Sequence, residues 1–244
     1  MWLKPSGYIA SAVAAGAVAA AGVSAAVAQA HSLLVLWVLV DLCMGTLARS
    51  VRVLARGSAR RSNSPERHPL FPAWSAVIGS LAVGAGLSLT VPVPLRVAAG
   101  AVALLTILVG LGMRGISVRR AEALAGGLLV VAAWTMSCLL LDGLPPLCLG
   151  LGALAGLGTL ARLWEGAASR PWGLWLCRLS WAGLAGILVA AKQPLLGGIV
   201  VLTACADELL RLQPARRARA GALADVAWAS AWFLVAFAST YWAT

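Results

Sequence analysis

LAGGLLVVAAWTMSCLLL, residues 124–141, holds 18 consecutive positions without a charged side chain. An α-helix rises 1.5 Å per residue, so this run reaches about 27 Å, close to the ~30 Å hydrocarbon thickness of a bilayer. Arg119 and Arg120 precede it and Asp142 follows it. Runs of the same kind recur outward in both directions. They predict spans at Gly7–Ala28, Ser32–Ala48, Ala73–Thr90, Leu95–Gly112, Leu124–Leu141, Leu144–Leu160, Leu174–Ala191, Leu195–Leu210 and Ala222–Trp242. The ten-residue alternation of a membrane barrel strand is absent. The expected fold is therefore all-α: a polytopic membrane bundle of about nine transmembrane helices, forming one domain over residues 1–244.

Composition agrees. The chain is 61% hydrophobic and 11% charged, with mean hydropathy +0.91, too little charge to cover a soluble domain. Residues 1–30 have the outline of a secretory signal, with Lys4, an apolar stretch, and Ala28-Gln29-Ala30 before His31. They are read here as an uncleaved, alanine-rich first helix.

The net charge of +11 is unevenly dealt. Assigning each basic residue to its nearest connection puts 17 of the 19 on one side of a nine-helix topology. That side holds Lys4, the six arginines from Arg49 to Arg67, Arg114, Arg119, Arg120, Arg162, Arg170, Arg178, Arg211, Arg216, Arg217 and Arg219; the other holds Arg96 and Lys192. By the positive-inside rule the N-terminus faces the cytoplasm and the C-terminus the outside, as expected for an inner (plasma) membrane protein. Such a basic face meets anionic membrane lipids, and no nucleic-acid partner is expected.

Trp164, Trp172 and Trp175 flank the sixth connection, and Trp74 and Trp242 lie at helix ends, as aromatic anchors at a membrane interface do, and most of the 11 tryptophans are read as such anchors. Gly152 and Gly156 form a GxxxG, and Gly79, Gly84 and Gly86 leave one face of the third helix small, so that helices approach closely there. The five cysteines (Cys43, Cys138, Cys148, Cys177 and Cys205) show no CxxC spacing. They are expected to be buried small hydrophobes, with neither a disulfide framework nor a metal site. His31 and His68 both fall in connections, which disfavours a bis-histidine haem.

Acids inside a membrane are costly and therefore informative. Asp207 and Arg211 share a helix face, so Asp207, Glu208 and Arg211 are expected to form a structural ion pair at the interface. Asp225 lies near the start of the ninth helix. Asp41, in the second, has no compensating charge close in sequence and needs one from another helix or a functional role. The connection after the second helix carries six arginines, the last of them within Pro65-Glu66-Arg67-His68-Pro69-Leu70-Phe71-Pro72. Arginine forks suit phosphate and diphosphate. A loop facing lipid headgroups has the same composition.

These features resemble the UbiA superfamily of membrane prenyltransferases. That family also has nine helices with working connections after the second, fourth and sixth, and a proline-rich segment leading into the third. Arg114–Arg120 running into Glu122–Gly127 is similar to its basic segment between helices four and five. The resemblance implies a pocket open to the cytoplasm for an isoprenoid, quinone or other lipophilic ligand. Asp41 and Glu165 would face the ligand, Arg52, Arg56 and Arg67 would face its anionic head, and His68 would join them. Mg²⁺ would be needed if the chain were a prenyltransferase. The departures are specific. Val40-Asp41 stands where the family has Asn-Asp, its next two aspartates fall on Met44 and Ala48, and after helix six Glu165 alone remains. The expectation is a degenerate relative. A competing resemblance is to the membrane anchor subunit of DMSO-reductase-type molybdoenzymes, through Ala206-Asp207-Glu208-Leu209-Leu210-Arg211. It implies a non-catalytic quinone-, pigment- or lipid-binding subunit with partner subunits in a membrane complex, although the His-Leu-Gly of those anchors is Ala55-Arg56-Gly57 here.

Overall fold

The computed structural model describes residues 4–60, 70–112, 116, 118–141, 143–144, 146–165, 171–211 and 217–240. Among these residues every regular element is helical. α1 is Lys4–Ala28. α2 is one continuous rod over 30–60, built of Ala30–Val38, a π-helical segment Leu39–Met44, and Gly45–Arg60. There follow α3 (Leu70–Ser88), α4 (Val93–Gly112), α5 (Val118–Leu140), α6 (Pro146–Glu165), α7 (Pro171–Ala190), α8 (Pro194–Arg211) and α9 (Arg217–Thr240). Nine rods thus stand among the described residues where the apolar runs predict them. Eight are long and apolar enough to cross a membrane. The other, α8, has the length, at 18 residues, and carries Asp207, Glu208 and Arg211 at its end.

Local chemistry sets the boundaries. Pro146, Pro171 and Pro194 each open a helix, where the missing N–H costs nothing and the fixed φ suits the first turn. Lys192 ends the α7 turn at φ 57, the left-handed conformation that commonly closes helices. α2 extends to Arg60, well past the predicted end at Ala48. Hydropathy marks where a helix is apolar, and this helix continues as an arginine-bearing one. Arg49 Nε donates to the Gly45 carbonyl at 3.1 Å and Arg52 Nε to that of Ala48 at 2.8 Å.

Packing divides the bundle in two. α5 is central: 67% of its span is buried, against 11% for α3. α1, α6 and α9 surround α5 or one another, with α7 and α8 beyond, whereas α3 and α4 lean on α2 and scarcely touch each other. Small residues allow the central approach. A Cβ on Gly16 would lie 2.7 Å from the Trp134 carbonyl oxygen, and one on Gly127 3.0 Å from that of Gly156. Gly152 and Gly156 of the GxxxG both face α5, against Trp134 and Val131.

Two expectations are corrected. Trp134, Trp181, Trp228 and Trp232 are core residues rather than belt residues. Trp181–Trp228 and Trp228–Trp232 meet edge to face at 4.8 and 5.7 Å, an arrangement aromatic quadrupoles favour. Trp74, Trp172 and Trp175 are exposed, as belt residues are. Cys138 and Cys148 are joined by a disulfide across the α5–α6 turn. The nine positions between them carry no motif, but a helical hairpin brings its two ends together. Cys43, Cys177 and Cys205 are not disulfide-bonded.

Candidate functional site

Polar contacts gather at one end of the bundle. Arg162, near the end of α6, is 6% exposed, and Asp207, near the end of α8, is 4% exposed. The guanidinium meets that carboxylate fork to fork, Nη1 at 2.9 Å from Oδ2 and Nη2 at 3.4 Å from Oδ1. Nη2 also lies 3.4 Å from Oδ1 of Asp225, at the start of α9. The Tyr8 hydroxyl, at the start of α1, donates to the same Asp225 oxygen. Close by, Arg178 of α7 donates to Glu208 at 2.8 Å. Arg52, late in α2, stands 3.9 Å from Glu122, early in α5. The starts of α1, α5 and α9 and the ends of α2, α6 and α8 therefore share one end, as alternating crossings require.

Of the residues singled out from sequence, Asp207 and Glu208 pair with Arg162 and Arg178 from neighbouring helices. The side chain of Arg211 lies outside the described residues, as do those of Arg56 and Glu165 and the whole of Arg67 and His68. Asp41 sits in the π-helical segment of α2, half-buried, and the opposite charge acting on it is Arg49. The Arg49 guanidinium folds back over Gly45, where a Cβ would be 3.6 Å from Nη2. Arg162 and Tyr8 were not foreseen as a pair of anchors. The available signal was Arg162 placed one turn after Thr159, still in register with the buried face of α6.

A cavity of about 240 Å³ lies elsewhere, between α2, α3 and α4. Leu39, Cys43, Met44 and Leu47 form its floor; Leu81 and Gly84 of α3 and Ala99 and Ala103 of α4 form its walls. Ser88 and Arg96 stand at its rim, beside the α3–α4 turn. It exists because α3 and α4 both pack on α2 without closing on each other, and because Gly84 and Gly100 contribute no side chain there. This cleft is in the half of the bundle away from the Arg162 cluster, whereas the resemblance to prenyltransferases implied a pocket at the arginine-rich end.

The Mg²⁺ that such an enzyme would need finds no fit among the described residues. No three His, Cys, Asp or Glu side chains converge there, and Asp41 has a guanidinium for company where a metal pair would need further carboxylates. No family model matches this chain, nor does any curated protein or any solved structure. The fold defines a class: an all-helical, multi-pass membrane protein.

Proposed function

We propose that the chain is a plasma-membrane protein that binds an isoprenoid or similar lipophilic chain in the α2–α3–α4 cleft, as a UbiA-like bundle stripped of its metal-binding motifs. The observation that carries this reading is the cleft itself: an apolar slot of about 240 Å³, lined by small side chains on two helices that face lipid. In a protein interior a void of that size is costly. Beside a bilayer it is a place for a hydrocarbon chain.

The proposed orientation puts the N-terminus in the cytoplasm and the C-terminus outside. The feature that supports it is the placement of the basic residues, nearly all of which belong to one end.

The test is labelling of the purified protein with a photoreactive geranylgeraniol, followed by peptide mapping. Gly84→Leu fills the slot, since a Cβ there already lies 3.5 Å from Cys43 Cβ. Labelling is expected on α2, α3 and α4, without added Mg²⁺, and is expected to fall in G84L. Equal labelling of both proteins would remove the proposal. Copurification of other membrane subunits covering the cleft would favour the complex-subunit reading instead.

A further inference from the structure

The cleft has a polar rim of one charge only. Arg96 is one of two basic residues assigned to the arginine-poor end, and it lines the cavity. Its guanidinium is pinned: Nε donates to the Val91 carbonyl at 2.8 Å and Nη2 to that of Leu89 at 2.9 Å, in the α3–α4 turn. An arginine has five N–H donors. Two are used here, and three remain on the two terminal nitrogens in a fixed orientation. A pre-positioned fork of this kind recognises oxyanions, because none of its rotamer freedom is left to lose on binding. Below the rim the lining turns apolar through Leu81, Met44 and Leu47. The gradient from a cation at the membrane surface to hydrocarbon in the middle is that of an amphiphile with an anionic head.

The size of the slot narrows the class. Pockets for drug-sized molecules occupy roughly 300–1,000 Å³; at about 240 Å³ this one accepts a single chain and leaves no room for a second. We propose that the cleft holds a single-chain lipid phosphate, with its phosphate on Arg96 and its chain running inward between α3 and α4. Three remaining donors match the three terminal oxygens of a phosphomonoester. The inference rests on the cleft being a lipid site. It places the head at the opposite end of the bundle from the arginine-rich connections, in the leaflet away from the cytoplasm.

The experiment measures binding of geranylgeranyl phosphate and of geranylgeraniol to the full chain in detergent, with dioleoylphosphatidylglycerol as competitor. Wild type is expected to prefer the phosphate by about tenfold or more. Arg96→Gln should bring the two within about twofold of each other, Arg96→Lys should keep part of the preference, and Gly84→Leu should weaken both. Equal affinity of wild type for phosphate and alcohol, with G84L still weakening both, would overturn the role of Arg96 and leave the lipid cleft standing. Competition by the phospholipid as strong as by the prenyl phosphate would overturn the single-chain assignment. Failure of wild type to bind either prenyl probe would remove the cleft reading, and this inference with it. The comparison of two ligands on wild type holds even if a variant misfolds.

Discussion

Replacing Asp207 by asparagine tests the buried network most sharply. The carboxylate is 4% exposed and takes both arms of Arg162, itself 6% exposed. Asparagine keeps the volume, so cavity terms stay small and the change isolates charge. Removing one member of a buried pair strands the other, which typically costs about 3–5 kcal/mol. Asp225 remains 3.4 Å from Nη2, so the guanidinium keeps one counter-charge and the lower end, about 3 kcal/mol, is expected. For a chain of this size that corresponds to a fall in Tm of about 6–12 °C. Arg162→Met should cost more, because it deprives Asp207 and Asp225 together. Glu208→Gln is the control: its partner Arg178 is 48% exposed, and exposed pairs contribute about 0–1 kcal/mol. The assay is unfolding in mixed micelles followed by fluorescence of the buried Trp134, Trp228 and Trp232, which lie in the same packed cluster as Tyr8. If D207N fell within about 0.5 kcal/mol of wild type, as an indifferent surface change does, or if E208Q cost as much as D207N, the reasoning would be refuted.

Other expectations follow from the same packing. Tyr8→Phe deletes the hydroxyl that Asp225 accepts and should cost about 1–2 kcal/mol in the same assay; no change would mean that α1 and α9 are held by apolar contact alone. Gly156→Leu places a side chain against Val131 and the Gly127 carbonyl. It should destabilise by more than the ~1–3 kcal/mol typical of overpacking, because backbone has to move; a folded protein of unchanged stability would contradict the close α5–α6 crossing.

The sequence is most legible where one physical term dominates. Apolar runs such as 124–141 are long enough to cross the hydrocarbon whichever way their side chains face, so length alone locates the crossings. The GxxxG at Gly152 and Gly156 was readable because only small residues let two helix backbones approach. What pattern could not supply is which helices are neighbours. Asp207 and Arg211 share a helix face and could be matched from sequence, whereas Arg162, which the fold brings to Asp207 from α6, could not. Trp228 and Trp232 look like the other tryptophans in sequence and differ only in pointing toward α1 and α5–α7. The cleft is likewise a product of arrangement. Gly84 and Arg96 become one site only because α3 and α4 separate over α2.

Whether nine crossings place the two chain ends in different compartments is the most direct test of the account. The measurement is protease accessibility of epitope tags, one at each terminus, in sealed right-side-out and inverted vesicles. Cleavage of the C-terminal tag only from outside, and of the N-terminal tag only from the cytoplasmic face, is the predicted result. Both tags cut from the same face would contradict it, and with it the assignment of Arg96 to the outer leaflet.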